Sequence, residues 1–244
     1  MILSKFKPQL SILLAMVILA TLALPVFAVE YNTGVKVSQY VKYGNFAGSG
    51  TGLESFNDYN WLKLEATSIS GKEVTLLSTG EYKNGTALPG NGMTSVWNVE
   101  TGADNGVPNT QGPIIAANLN QGDSIPPPGT YVVNQTESRT YLGVSRSVSI
   151  LIVTVSSPDY NSTLTYIYDK LSGMLLESST LTTTQAQPQP VTSTYSYSII
   201  ETNIFGSNPS PTVPEFSSQI LLVIAVAIVI SLIATIAFSK KAKS

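Results

Sequence analysis

Acidic side chains in predicted loops are the first candidates for chemistry in this sequence. Glu54, Asp58 and Asp123 could serve as paired carboxylates for acid–base catalysis or glycoside hydrolysis if the fold brought them together. Their spacing does not require this, and solvated surface carboxylates are the simpler interpretation. The chain contains no histidine and no cysteine, which excludes Ser–His–Asp and Cys–His triads and the usual zinc sites. We therefore expect no enzyme activity, no catalytic residues and no bound cofactor or metal.

A calcium loop and an aromatic binding face are two further candidates. Asp104-Asn105-Gly106 looks like a fragment of a calcium loop, but it lacks the later ligands and the bidentate glutamate of an EF-hand. A tight turn is the simpler interpretation, and a calcium ion held by loop carboxylates stays open. Trp61, Trp97 and many of the 12 tyrosines could line a sugar-binding face. On alternating strands such side chains also serve as core residues or cross-strand pairs.

Three sequons predict N-glycosylation. They are Asn84-Gly85-Thr86, Asn134-Gln135-Thr136 and Asn161-Ser162-Thr163, and each lies beside a predicted strand end or loop, where a glycan can be accommodated. Sequons also arise by chance in a chain rich in Ser and Thr. We expect at least one of Asn84, Asn134 and Asn161 to be modified.

The elements that would position these residues are short runs of alternating apolar and polar residues. They are rich in Val, Ile, Thr and Tyr, which suit a half-buried pleated surface. The pattern predicts an all-β antiparallel domain, either a sandwich or a strongly curved sheet or half-barrel. The predicted strands are Val35–Tyr43, Trp61–Ser68, Glu73–Ser78, Thr94–Val99, Ile114–Leu119, Thr130–Val133, Ser138–Gly143, Ser147–Ser156, Thr163–Asp169, Met174–Thr184 and Ser193–Thr202.

Two connections predict hairpins in the second half of the domain. The segment 169–173 lies between two predicted strands, and Gly173 can take the positive φ that such a loop needs. The polar, proline-rich segment 185–190 is either a long hairpin tip or the end of the compact core. We favour the tip because the residues after it still alternate, so the second half should be a meander.

The first 28 residues predict a secretory signal peptide. Lys5 and Lys7 precede an apolar stretch from Leu10 to Leu24, and Val26 and Ala28 are the small residues that signal peptidase needs at positions minus three and minus one. Cleavage is expected after Ala28. An uncleaved first membrane helix is the alternative.

The C-terminal end predicts a membrane anchor. Residues 220–238 contain only Ile, Leu, Val, Ala, Phe, one Ser and one Thr, and a helix of this length matches the hydrocarbon thickness of a bilayer. Three lysines follow the span, and cationic flanks stay cytoplasmic. We therefore expect a signal peptide at 1–28, an extracellular β domain at 29–205, a stalk rich in Pro and Ser at 206–216, a transmembrane helix at 217–239 and a cytoplasmic basic tail at 240–244.

The charge divides between the predicted compartments. All 15 acidic residues and eight of the 13 basic residues lie within 29–215, so this part carries a net charge of −7. An acidic exterior does not suit nucleic acid, whose phosphates require a basic patch. The expected location is the cell membrane, with a single pass and the β domain outside.

The C-terminal pattern resembles a known sorting signal. Pro214-Glu215-Phe216, followed by an apolar helix and a lysine cluster, is similar to the PEF-CTERM signals of archaeal surface proteins. The resemblance implies processing by an archaeosortase-like enzyme, with signal peptidase acting at the other end. Permanent anchoring, with Phe216 at the depth of the lipid headgroups, is the alternative.

The outer domain also resembles uncharacterised archaeal surface-protein ectodomains. The similarity rests on the segment 34–43, on 139–146 and on 168–177, and it covers most of residues 34–205. In 34–43 the turn and the tryptophan of the family pattern have changed. The resemblance implies a shared fold and an exported location, and it implies no activity.

Three functions are compatible with these features. We expect a non-enzymatic surface domain that serves the envelope, adhesion or ligand binding, with a polysaccharide among the candidate ligands. The alternative is a carrier that holds a lipid or other apolar ligand in a curved sheet, as bacterial lipoprotein carriers do at the level of fold. A carboxylate-based hydrolase ranks third. A large apolar concavity would favour the carrier, and a filled core would favour the display protein.

Overall fold

The computed structural model describes residues 29–50, 53–108, 112–127, 131–185 and 189–206. In these residues the protein is all-β, as predicted: it has 13 strands, one short 3-10 helix and no α-helix. The predicted signal peptide with Ala28, the sorting motif 214–216 and the transmembrane helix 217–239 lie outside the described residues. None of the helices found in the described part is long and apolar enough to cross a membrane.

Eleven of the strands form one antiparallel sheet. Its order is β6-β5-β4-β3-β2-β1-β13-β12-β11-β10-β9, and β7 and β8 form a separate two-stranded ribbon. The 3-10 helix spans Glu54–Asp58, between β1 and β2. The strands are β1 Tyr40–Ser49, β2 Tyr59–Ser70, β3 Glu73–Tyr82, β4 Met93–Asn98, β5 Ala103–Asp104, β6 Val107–Pro108, β7 Ser124–Ile125, β8 Tyr131–Val132, β9 Gln135–Tyr141, β10 Val144–Ser156, β11 Tyr160–Asp169, β12 Leu175–Thr184 and β13 Val191–Thr202.

The predicted meander is confirmed. Strands β9 to β13 pair in chain order, each antiparallel to the next. The loop 169–173 joins β11 to β12 with Gly173 at φ +75°, and Thr184 pairs with Val191, as a hairpin between the last two strands requires. The first strand, β1, also pairs with the last strand, β13, and Val41 lies opposite Thr202.

Two predicted strands differ most from the structure, while others differ by a few residues at their ends. β1 begins at Tyr40 and not at Val35, because Ser38 adopts φ +68° and interrupts the extended backbone. The segment 114–119 is buried but is not a strand. Its backbone groups bond to loops instead: the N–H of Ile115 donates to the carbonyl of Gly173, and that of Ala117 donates to the carbonyl of Asn32. A continuous apolar run bounded by turn residues does not distinguish these cases.

Part of one face of the sheet is covered by residues 112–127, which we call the inner segment. Tyr168 on β11 donates its hydroxyl to the carbonyl of Gly112 at 3.0 Å. Ser149 on β10 donates to the carbonyl of Leu119 at 3.1 Å. The inner segment contributes a set of buried apolar side chains to the core: Ile114, Ile115, Ala116, Ala117, Leu119 and Ile125.

A buried ion pair joins two hairpins at one end of the sheet. The guanidinium of Arg146 on β10 donates from Nε to Asp169 Oδ1 at 2.8 Å and from Nη2 to Oδ2 at 3.0 Å. Asp169 Oδ2 also accepts from the N–H and the hydroxyl of Ser172. Gly34 packs on the same loop, since a Cβ at Gly34 would lie 2.0 Å from the carbonyl oxygen of Leu171. The segments 34–43, 139–146 and 168–177 therefore contact one another here, and these contacts hold the two hairpins together.

Candidate functional site

Trp97 belongs to the core. Its side chain is 7% exposed, and Nε1 donates to Ser95 Oγ at 2.9 Å. It packs so closely on the inner segment that a Cβ at Gly112 would lie 2.2 Å from Trp97 Cζ3. Of the two tryptophans considered for a sugar-binding face, Trp97 is therefore unable to reach a ligand in solution.

Trp61 lies on the opposite face of the sheet. Side chains alternate along β2, so Trp61, Lys63 and Glu65 share one face, and Leu62, Leu64 and Ala66 share the other. Ala66 is fully buried, whereas Trp61 is half-buried. Neighbouring strands extend the outer surface, which we call the Trp61 face and define by Tyr40, Lys42, Trp61, Lys63, Glu65, Glu81 and Glu201.

Charged and aromatic side chains alternate across the Trp61 face. Lys42 Nζ lies over the ring of Trp61, 4.9 Å from its centroid, and 3.2 Å from Glu201 Oε2. Lys63 Nζ lies 4.3 Å from the ring centroid of Tyr40 and 2.6 Å from Glu65 Oε2. Cation–π contacts of this kind hold both components in a defined position even at an exposed site.

A hydrogen bond couples Tyr40 to Glu201 across the β1–β13 pair. The Tyr40 hydroxyl donates to Glu201 Oε1 at 2.7 Å. This bond raises the pKa of Tyr40, and burial adds to the effect. The same bond, together with the bond from Lys42, lowers the pKa of the Glu201 carboxyl. Glu201 is therefore ionised at neutral pH and keeps Lys42 above the indole.

An open cleft of about 490 Å³ adjoins Trp61. The loop 83–92 forms one wall, because Ala87 bridges to Glu81 and the side chain of Asn91 accepts from the N–H of Gly80 at 2.8 Å. A Cβ at Gly80 would lie 2.7 Å from Leu88 Cδ1, so only glycine lets the loop approach this closely. The lining residues are Trp61, Lys63, Thr79, Gly80, Glu81, Gly85, Ala87 and Asn91.

The cleft presents several hydrogen-bonding groups to solvent. Glu81 Oε1 accepts from Asn60 Nδ2 at 2.7 Å, and the Thr79 hydroxyl and the Asn91 amide lie on either side. Asn91 uses its Oδ1 to hold Gly80, which leaves its Nδ2 as a donor. One aromatic ring beside donors and acceptors can orient a small polar molecule that has an apolar side.

Glu54 and Asp58 begin and end the same 3-10 helix, whereas Asp123 lies in a turn elsewhere in the chain. Asp58 ends the 3-10 helix and lines a separate cleft with Tyr82 and Lys83. Asp123 Oδ2 accepts from the N–H of Asn120 at 2.6 Å and stabilises its own turn. The side chain of Glu54 is outside the description. Among the residues that the structure describes, no three acidic side chains are grouped as a metal ion would require.

Asp104-Asn105-Gly106 forms the tight turn that the sequence predicts. Asn105 and Gly106 have φ values of +47° and +81° and join β5 to β6. Positive φ at both central residues is the pattern of a type I′ hairpin. Asn105 Oδ1 accepts from the N–H of Val96 at 3.0 Å, which ties the turn to β4.

The three sequons have different local structures. At Asn84 the hydroxyl and the N–H of Thr86 both donate to Asn84 Oδ1, at 2.6 and 2.9 Å, in an exposed turn. Asn134 Oδ1 accepts from the N–H of Ile152, and Asn161 lies within β11, where its Oδ1 accepts from Ser156. Asn84 is the only one of the three whose own threonine contacts its amide.

Sequence reasoning identified Trp61 but not its neighbours from other strands. Tyr40 and Lys42 alternate in register with Trp61 and Lys63, and this signal could have placed all four on one face. Glu201 reaches them only because β13 pairs with β1, more than 150 residues away along the chain. Thr79 and Asn91 both line the cleft because the loop between β3 and β4 folds back on the sheet. The sequence of this loop shows no alternating pattern that would predict the contact.

Comparison with known proteins identifies no relative of this chain. No protein-family model matches the sequence, and no curated protein matches it. The function of the chain must therefore be argued from the two faces of its sheet: a covered face that contains Trp97 and an open face that contains Trp61.

Proposed function

We propose that this chain is an exported protein, tethered to the membrane, that displays its β domain outside the cell and binds a ligand there without catalysis. The observation that carries the proposal is the contrast between the two faces of the sheet. The inner face around Trp97 and Tyr168 is occupied by the protein's own inner segment, and the Trp61 face offers an open, polar and aromatic cleft.

The small size of the void beneath the inner segment argues against a carrier. A void of only about 10 Å³ lies between the inner segment and the loop that contains Val99 and Gly102, next to Gly112. A space of this size holds about one water molecule and no lipid. A resident apolar ligand would require the inner segment to leave the sheet and to expose its own apolar side chains.

Contacts at Gly112 favour a strongly curved sheet or half-barrel. Trp97 on β4 and Tyr168 on β11 both reach Gly112, yet these strands are six positions apart in the sheet. Six spacings of about 4.8 Å would separate them by roughly 29 Å in a flat sheet, more than two side chains can span. Such curvature is the specific feature that keeps a carrier as the second candidate.

The absence of catalysis is part of the proposal because two of the three candidate acids have different surroundings. Asp58 lines a cleft with Tyr82 and Lys83, and Asp123 accepts a hydrogen bond within its own turn. Glycoside hydrolysis needs two carboxyl groups within roughly 5–10 Å on either side of one bond. The carboxylates of the Trp61 face instead pair with a lysine, a hydroxyl or the Asn60 amide.

Export and tethering rest on the termini. We propose cleavage after Ala28, a membrane helix at 217–239 with the basic tail in the cytoplasm, and recognition of Pro214-Glu215-Phe216 by an archaeosortase-like enzyme. The 15 acidic residues between the two ends suit a solvated exterior. All three sequon asparagines are exposed, and Asn84 lies in a turn where the Thr86 hydroxyl donates to its amide oxygen.

The test is intact mass and terminal peptide mapping of the native protein from its own membranes, combined with protease treatment of whole cells. We expect an N-terminus at Val29, glycan mass on the Asn84 peptide and release of the β domain from intact cells. A C-terminus at Ser244 would indicate a permanent anchor, and a C-terminus near Phe216 would indicate sorting. A protein that proteases cannot reach in intact cells would contradict display.

The carrier alternative needs a separate measurement on the same material. Organic extraction and mass spectrometry of the purified native protein would detect a resident lipid. We expect less than one apolar molecule per ten proteins. A stoichiometric lipid would favour the carrier and would require the inner segment to adopt another position.

A further inference from the structure

We propose that the Trp61 cleft binds a neutral pyranose unit of a polysaccharide or glycan. The inference rests on the proposed function, in which the open face is the ligand-binding face, and it names the ligand class. The volume of the Trp61 cleft, about 490 Å³, lies in the range of small-molecule sites, about 300–1,000 Å³.

The indole of Trp61 supplies the platform. A pyranose ring has an apolar face of C–H groups and a rim of hydroxyls, so it can place its apolar face on an aromatic ring and keep its hydroxyls in polar contact. Lys42 covers the ring from one side, 4.9 Å from the centroid, while Trp61 also lines the cleft. The Lys42 contact holds the indole in position before a ligand arrives.

The polar groups around Trp61 match the hydroxyls of a sugar. Glu81 offers a carboxylate oxygen beside the one bound to Asn60, Asn91 offers an amide donor, and Thr79 offers a hydroxyl that can donate and accept. Hydrogen bonds between hydroxyls and a charged group such as Glu81 are stronger than neutral ones. A simple hydrocarbon would leave these groups without partners.

The charge of the Trp61 face selects a neutral sugar. Its defined residues include three carboxylates, Glu65, Glu81 and Glu201, and two lysines that already contact carboxylates. An anionic uronate or a sulfated sugar would meet this net negative charge and a repulsive cost. Nucleic acid is disfavoured for the same reason.

The cleft does not suit a peptide strand. β3 pairs with β2 on one side and with β4 on the other, so its backbone has no free edge for the addition of a strand at this place. The wall formed by 83–92 is held by backbone bonds as well, since the N–H of Gly92 donates to the carbonyl of Ser78 at 2.7 Å. A cleft already formed binds a small ligand without the cost of ordering a loop.

The test is a titration of the full chain, solubilised in a detergent without a sugar headgroup, with neutral hexose oligosaccharides and with uronate oligosaccharides. Tryptophan fluorescence is the readout, because Trp61 and Trp97 are the only two tryptophans and Trp97 is buried. We expect a saturable change with neutral sugars. Trp61→Ala should remove the change, and Glu81→Gln should weaken binding by about tenfold.

A matched control lies in a second open cleft of about 470 Å³, which Thr165 lines on strands β11–β13. Thr165→Ala should leave the affinity within about twofold. Calorimetry replaces fluorescence for the Trp61 variant, and an unchanged unfolding transition confirms that the variant is folded. Should Trp61→Ala fail to fold, Glu81→Gln decides the question, because it removes the charge of a half-buried cleft side chain and keeps its size.

Two results would overturn the inference: no binding of any neutral sugar, or neutral-sugar binding that Trp61→Ala and Glu81→Gln leave unchanged. Preference for the uronate oligosaccharides would overturn the assignment of a neutral sugar. Failure of the proposed function is distinguishable, because display is measured independently by proteolysis of intact cells. A displayed, folded domain that binds no saccharide contradicts only the inference made here.

Discussion

Trp61 and Trp97 lie two strands apart in one sheet and have opposite environments. Trp97 is 7% exposed, bonds to Ser95 and packs on Gly112 of the inner segment. Trp61 is half-buried on the outer face, lies under Lys42 and borders an open cleft. The same residue type therefore contributes to the core in one region and to a candidate binding surface in the other.

Ion pairs differ between these regions in the same way. The side chains of Arg146 and Asp169 are 4% and 0% exposed and form two bonds, whereas those of Lys63 and Glu65 are 29% and 31% exposed. A buried pair is costly to break because one charge remains without its partner. An exposed pair contributes little. Stability should therefore depend on the sealed region and binding on the Trp61 face, a separation that the following predictions test.

The largest expected effect is the loss of the buried tryptophan. Trp97→Ala should lower the free energy of unfolding by about 3–5 kcal/mol, because it removes a large core side chain and leaves a cavity above Gly112. Trp61→Ala should cost about 1 kcal/mol and abolish binding. Urea denaturation of both variants measures the difference. Equal destabilisation would remove the distinction between the two regions.

Breaking the buried ion pair should be nearly as severe. Asp169→Asn should cost about 3–5 kcal/mol, because the Arg146 guanidinium stays buried and loses its ionic partner. Glu65→Gln, the matched change on the Trp61 face, should cost about 0–1 kcal/mol. Thermal unfolding of the pair of variants checks this. A stable Asp169→Asn protein would mean that Ser172 and the backbone suffice to hold the hairpin.

A smaller effect is expected from crowding at the contact between sheet and inner segment. Gly112→Ala should cost about 1–3 kcal/mol, because the new methyl group would lie 2.2 Å from the Trp97 ring. Gly85→Ala in the wall of the open cleft meets nothing within 4 Å and should cost about 1 kcal/mol from its φ of +83° alone. Chemical denaturation of the two alanine variants compares crowding with backbone strain. A smaller cost for Gly112→Ala than for Gly85→Ala would show that the inner segment is loosely packed.

The smallest effect at neutral pH concerns tyrosine ionisation, and it appears only in alkali. Burial raises the pKa of Tyr197 to about 12, and burial with the nearby Glu177 raises the pKa of Tyr141 to about 12. A pKa that is higher in the folded state means that the unfolded chain loses its proton first. The contribution of these tyrosines to the free energy of unfolding should therefore be constant below about pH 10 and fall between pH 10 and 12.

Ultraviolet titration of the folded and urea-unfolded protein measures this difference. Tyr197→Phe should make the decline in stability less steep, because one of the groups responsible is gone. Complete ionisation of the folded protein's tyrosines near pH 10 would contradict the sealed environment of Tyr197.

Much of the sheet was predictable, because its signals are local. The period of two along 61–68 and 163–169 predicted β2 and β11, and the glycine at 173 predicted the hairpin between β11 and β12. The short strands β5, β6 and β7, of two residues each, were missed because such elements have no period to detect. The buried segment 114–119 was assigned as a strand because an apolar run shows burial and not hydrogen-bond partners.

The sequence by itself determined the strand content, the hairpins of the second half and the absence of histidine and cysteine chemistry, since these depend on residue type and near neighbours. Only the tertiary structure decided which tryptophan is sealed and which is open. That choice depends on contacts between residues far apart in the chain: Gly112 against Trp97, and Glu201 with Lys42 beside Trp61. Alternation shows that a strand has two faces, but the packing of the remaining chain determines which face is covered.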